Sequence, residues 1–143
     1  LSPPYRTAGQ PLGDVDDLLR IRGFDPDLVE RLRPYVTALP RYNPVNINTA
    51  SAPVLAALLP RLSLTQVRQV VEQRDRVPLR NVGDLKLYLP AGETLSDLTA
   101  LDTRSSYFRV RVHARYRRAG TVTEALLERQ PNDWPRILWQ KYQ

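Results

Sequence analysis

Apolar positions in the first hundred residues come in short bursts at helical spacing, each bracketed by capping residues, glycine or proline. Asp14 stands where an N-cap would, Asp17 falls at the third helical position, and Leu18, Leu19 and Ile21 supply an apolar side until Gly23. Asp25-Pro26 predicts a second helix, because proline at the first helical position forfeits no hydrogen bond and the aspartate caps the free amides. Leu28, Val29 and Leu32 form its stripe, Pro34 ends it, and Pro40 and Pro44 keep the next stretch extended. A third helix follows Asn48-Thr49, either of which supplies a cap; Pro53 falls in its first turn, Val54, Leu55, Leu58 and Leu59 repeat along it, and Pro60 stops it. Ser63 and Gln66 then make a capping box ahead of Leu64, Val67, Val70 and Val71, which predicts a helical hairpin. A last short helix runs from Asn81 to about Leu89 and ends at Pro90.

After Asp102 the period changes to two. Phe108, Val110, Val112, Ala114 and Tyr116 alternate with Arg109, Arg111, His113, Arg115 and Arg117, a strand with one apolar and one basic face. Arg118-Ala119-Gly120 reads as a turn, Thr121 to Arg129 as a second strand, Pro131-Asn132-Asp133 as another turn, and Ile137 to Tyr142 as a third strand. The fold class expected is α+β, with an extended lead-in over 1–13, a helical domain over 14–102 and an antiparallel meander over 103–143. Within the helical part, Pro11 to Leu18 and Pro78 to Leu85 agree at Pro, Leu, Val, Asp and Leu, which reads as two similar helical subunits.

Composition narrows the chemistry. The chain has no Cys and a single His, His113, so thiolate sites and Cys nucleophiles are ruled out and a multi-His metal site or Ser/His/Asp triad has one imidazole to hang on. Hydrolytic and zinc chemistry are therefore not expected. No apolar run approaches the ~20 residues of a membrane helix. The sequence lacks Met and starts at Leu1, from which removal of an upstream portion is expected. Net charge is +6, yet Lys and Arg equal Asp and Glu over 1–49 and again over 50–102, so the whole excess lies in 103–143.

Three features are candidates for function. Asn46-Ile47-Asn48-Thr49-Ala50, the hairpin with Leu55, Leu58, Val67 and Val70 at its core, and the closing helix at Asp84-Leu85 resemble a helix-hairpin-helix unit of the SAM-like kind. Such units commonly bind DNA phosphate through a glycine-bearing turn, and a DNA-binding module is the alternative reading. The turn here, Pro60-Arg61-Leu62-Ser63, has no glycine, so no nucleic acid is expected. The stripe Arg109, Arg111, Arg115 and Arg117 is either an interaction surface or a solvated outer face, the favoured reading, with Glu124 and Glu128 as cross-strand partners. Asp14, Asp16, Asp17, Asp25 and Asp27 lack the spacing of a calcium loop, and helix capping accounts for Asp14, Asp17 and Asp25.

Together, Tyr5-Arg6, Val15-Asp16-Asp17-Leu18-Leu19, Leu32-Arg33-Pro34-Tyr35-Val36-Thr37-Ala38-Leu39-Pro40, Asn46-Ile47-Asn48-Thr49-Ala50-Ser51, Ser105 to Val110 and Leu126 to Arg129 resemble the K-component minor pseudopilin of the type II secretion system. The resemblance implies a structural protein at the periplasmic tip of the pseudopilus, with a helical domain inserted into a pilin-like α/β fold. It implies the I and J minor pseudopilins as partners and an N-terminal helix, upstream of Leu1, as inner-membrane anchor. It also implies association with calcium through an acidic loop upstream, so no metal ligand is assigned here.

Overall fold

The computed structural model describes residues 9–89, 98–117 and 119–142. Most of the proline-rich lead-in, Tyr5-Arg6, the stop at Pro90 and Arg118 of the expected turn lie outside these residues. Within them the chain is α+β: short helices first, then a three-stranded antiparallel sheet.

A 3-10 helix spans Val15–Arg20 and α1 spans Pro26–Leu32, with Asp14 and Asp25 as N-caps. The Asp25 carboxylate accepts from Leu28 N at 2.7 Å. Strand β1 is Val45–Asn46, α2 is Ala52–Leu58, α3 is Leu64–Arg76, and a second 3-10 helix covers Val82–Tyr88. The repeated Pro-Leu…Val…Asp-Leu run turns out to be one device used twice. Asp14 and Asn81 are both extended caps, and each donates its backbone N–H to the carboxylate three residues on, Asp17 at 3.1 Å and Asp84 at 3.3 Å.

Two expectations at the hairpin are corrected. The cap of α2 is Ser51, because Asn46 and Asn48 are committed to a turn of their own: Asn46 Oδ1 accepts from Asn48 N at 2.9 Å, and Asn46 O accepts from Thr49 N and Ala50 N. Leu64, expected on the apolar face of α3, is exposed at the first helical position, and Val67 and Val70 carry the contact instead. The capping box of Ser63 and Gln66 forms as expected.

Nine buried side chains make one cluster: Ile47, Leu55, Leu59, Leu62, Val67, Val70, Leu79, Leu85 and Leu101. Leu58, expected at its centre, is partly buried against its edge, as is Ala50. The cluster is closed by β2, Leu101–Asp102, which pairs in parallel with β1. Val45 N donates to Ala100 O and Ile47 N to Asp102 O, both at 2.8 Å. Val15 and Val29 are buried outside this cluster, in the first helical pair.

The sheet runs β3 (Tyr107–Tyr116), β4 (Ala119–Glu128), β5 (Arg136–Tyr142) in that order. Tyr116 pairs with Ala119, so Ala119 and Gly120, expected in the turn, belong to the ladder. A register shift between Leu126 and Leu127 leaves Leu138 as the extra residue of a bulge in β5.

The arginine-bearing face of the sheet is turned toward the helical part and not outward as expected, although Arg109, Arg111, Arg115 and Arg117 are themselves exposed. Directly opposite residues share a face, so Arg109, Leu126 and Trp139 form one cross-sheet row and Phe108, Leu127 and Ile137 another. The first face is turned to the helical part: Leu126, Glu124 and Glu128 are buried there. The apolar face is the outer one, with Phe108 45%, Val112 53% and Ile137 58% exposed. Burying carboxylates while apolar side chains face water is the reverse of ordinary partitioning.

Candidate functional site

Two regions bring the singled-out residues together: the seam between helices and sheet, and the surfaces of the sheet. At the seam, the Asn46–Asn48 turn reaches in both directions. Asn46 Nδ2 donates to Ser105 Oγ at 2.9 Å. Asn48 grips the backbone of Leu79 twice, its Oδ1 accepting from Leu79 N and its Nδ2 donating to Leu79 O, each at 2.9 Å. The side chain thus plays the part of a strand partner to a residue that has none. Thr103 Oγ1 donates to Arg80 O at 3.4 Å, and the buried Arg74 donates Nη1 to Ile47 O. Asn46, Asn48 and their turn therefore tie the hairpin to its closing segment, while Thr49 is exposed and bears no side-chain hydrogen bond among the described residues.

Arg74, the arginine in the last turn of the second helix of the hairpin, is buried. Its helical position gave a signal only in part, since it lies four residues after Val70 on the face that also holds Val67.

Glu128 is the polar centre of the seam. Its Oε1 accepts from Arg41 Nη2 at 2.7 Å and from Tyr107 Oη at 3.1 Å, and its Oε2 pairs with Arg136 Nη2 at 2.8 Å. Burial pushes this carboxyl up, but the Tyr107 hydroxyl and the two guanidinium groups outweigh it and hold it below the ordinary glutamate range. A second tie joins the far strand to the first helical pair: Lys141 Nζ donates to Asp14 Oδ2, lowering the Asp14 carboxyl together with the Val15 amide. Between these ties lies an open groove of about 730 Å³, lined among others by Pro34, Tyr35, Pro44, Thr49, Tyr107 and Arg109.

The arginine stripe divides. Arg109 and Arg111 both approach Glu124 Oε1 at 3.6 Å, the expected cross-strand pairing. Arg115 lies opposite Gly120, and Arg117 stacks over the Tyr116 ring at 5.3 Å. At the other end of the sheet Trp134 stands 87% exposed in the β4–β5 loop, its backbone N–H donating to Asp133 Oδ1 at 2.7 Å.

The hairpin turn is not arranged for phosphate. Leu62 is buried in the core, and two of the amides at the start of α3 are spent on the capping box, with Ser63 N donating to Gln66 Oε1 at 2.8 Å and Gln66 N to Ser63 Oγ at 3.3 Å. Among the described residues no group of three His, Cys, Asp or Glu side chains is placed to hold a metal ion, and no helix is long and apolar enough to cross a membrane. The aspartates at 14, 17 and 25 are used by helix starts.

Comparison with known proteins places these features. Two family models, both described as "Type II secretion system (T2SS), protein K", match residues 1–41 and 45–107. The chain is 36% identical over 121 residues to type II secretion system protein K of Aeromonas hydrophila and 34% identical over 122 residues to that of Pectobacterium carotovorum subsp. carotovorum. Each match takes in 80% of this chain and 37% of the relative, so the chain spans little more than a third of these relatives. All of this chain, and 52% of the other, superposes on a chain of the crystal structure of the GspK-GspI-GspJ complex from the enterotoxigenic Escherichia coli type 2 secretion system, with a TM-score of 0.73 and 25% identity.

Proposed function

The chain belongs to the type II secretion system protein K family, and on that premise we propose that it is part of a non-enzymatic minor pseudopilin, assembled with the I and J components at the periplasmic tip of the pseudopilus. The observation that carries this is the fold likeness along the whole chain to a protein solved within a three-component complex. On this reading residues 14–102 are a SAM-like helical domain built of two small subunits, and 103–143 complete a pilin-like domain. The residues Asn46, Asn48, Leu55, Val67 and Val70 then serve architecture, setting the helical domain against the sheet.

The outer face of the sheet fits the same reading. A row of apolar side chains left to water in a three-stranded sheet calls for a cover, and the relatives are much longer than this chain. A helix from the rest of such a protein, continuous with an inner-membrane anchor, would supply it. Calcium, implied by the family resemblance, would be held by residues other than those described here, which offer no ligand cluster.

The test is direct. The full-length protein, its anchor replaced by a soluble leader, is mixed with purified I and J components and run on a sizing column with light scattering. A stable complex of all three is expected. Separate elution at concentrations well above micromolar would overturn the proposal.

A further inference from the structure

Among the described residues the chain crosses from helices to sheet once, through the bends at 103–106. The two ends of that crossing are held by different bodies. Thr103 belongs to the helical unit, its Oγ1 donating to Arg80 O and its carbonyl accepting from Asn48 Nδ2 at 3.5 Å. Ser106 belongs to the sheet, its carbonyl accepting from Arg129 N at 2.8 Å. Arg104 and Ser105 lie between them, outside helix and strand.

What else joins the bodies is mostly polar. Leu126 is the one apolar side chain of the described sheet that is buried, and beside it the seam holds the open groove of about 730 Å³ in place of a packed core. The seam is spanned by Arg41 to Glu128, Lys141 to Asp14 and Asn46 to Ser105. The two cations stand largely in water, Arg41 69% and Lys141 55% exposed.

Each tie also has a reserve partner on its own side. Without Arg41, Glu128 keeps the Tyr107 hydroxyl, Arg136 and, at 3.3 Å, Gln130 Nε2, all from the sheet side. Without Lys141, Asp14 keeps the Val15 amide at 2.6 Å, and Lys141 keeps the Trp139 ring, over which its Nζ already lies at 5.2 Å. Without Ser105, Asn46 keeps its turn with the Asn48 amide. Parting the bodies therefore leaves no buried charge unpaired, which is the cost that makes a buried ion pair hard to break.

We infer that the seam is an electrostatic hinge: the helical unit pivots on the sheet about Arg104-Ser105, and the Arg41–Glu128 and Lys141–Asp14 pairs latch it in the arrangement seen here. An ion pair with one partner in water holds by about fivefold at most. Polar interfaces between units of one chain permit relative motion, and a few loop residues suffice to absorb the rotation. Leu126 favours the closed arrangement, so one leucine and two pairs set the balance. The hinge is independent of the assembly reading, since it concerns two bodies of this chain whatever they are built into.

Full-length protein, its anchor replaced by a soluble leader and any thiol outside this chain removed, receives spin labels at Gln69→Cys on α3 and Arg115→Cys on β3, both exposed positions. The distance between them is measured by pulsed electron resonance at about 50 and about 500 mM salt. One main distance is expected at the lower salt and a growing second population at the higher. Arg41→Gln/Lys141→Gln should raise the ratio of second to first by up to about twentyfold at the lower salt and flatten the salt dependence. Arg136→Gln, whose pair with Glu128 lies within the sheet, should leave the seam closed. If the double variant loses its fold, the salt series on the wild type carries the test. One unchanged distance in the wild type at both salts would overturn the hinge. A change in Arg136→Gln as large as in the double variant would overturn it too, because the sheet itself would then be loosening.

Discussion

Between Ile47 and Leu101 nine apolar side chains close on one another, whereas among the described residues of the sheet a single apolar side chain, Leu126, is buried, together with the carboxylates Glu124 and Glu128. The helical unit meets the hydrophobic requirement within itself, its ends drawn together by the β1–β2 bridge. The sheet pairs β4 on both sides but leaves its apolar face open, and holds to the helices by charge and hydrogen bonds at Glu128, Asp14 and Asn46. One region is a finished core; the other is half of one. That contrast is what a sheet awaiting further structure should look like, and it can be broken or sharpened by experiment.

The largest effect belongs to the finished core. Leu55 is 1% exposed, and Leu55→Ala should cost ~2–5 kcal/mol in chemical denaturation. Leu58→Ala, at the edge of the cluster, should cost clearly less, and equal costs would show that the core is drawn wrongly. Next comes the tie that closes it: Asn48→Ala strands the amide and carbonyl of Leu79 and should cost ~1–3 kcal/mol, while Asn48→Asp, which keeps the acceptor alone, should retain part of the stability.

The ties of the sheet are predicted to respond to acid. Asp14 and Glu128 both have depressed folded-state pKa values. Their contribution is therefore complete above the unfolded carboxylate pKa near ~4 and is lost as pH falls through the folded values. Melting temperature followed from neutral pH downward should fall in this range. Glu128→Gln should begin lower at neutral pH and converge on the wild type in acid, because a protonated glutamate and a glutamine then offer similar partners. Parallel curves at every pH would show that Glu128 contributes no linkage.

The smallest effect is expected on the open face. Val112→Thr should change the stability of this chain by no more than ~0.5 kcal/mol, because the side chain is already half in water. In the full-length protein the same change should destabilise measurably if that face is covered, and an equal, small effect in both would argue that it stays open.

Local rules were enough for much of the fold. Asp14, Asp25, Ser63 and Asn81 announce helix starts because a short polar side chain before an apolar run has few better uses, and alternation from Phe108 to Tyr116 admits only a strand. The candidate site was less legible. The start of α2 was misplaced because Asn48, a good cap by chemistry, has a partner 31 positions away that capping rules do not see. Two-residue strands such as β1 and β2 carry no periodicity, so their pairing is invisible to a pattern search.

The inward face of the sheet marks the boundary. Alternation along β3 established by itself that there are two faces of opposite character, and the count of acids in the last 41 residues established that the arginines outnumber their partners. Which face turns toward the helices was decided by the tertiary structure. Arg41, Asp14 and the Asn46 turn supply partners for one face only, and satisfied charges tolerate burial where unpaired ones do not. Hydrophobicity is a property each residue carries along the chain, but a carboxylate's cost of burial depends on what stands opposite it, and that is known only once the chain has folded.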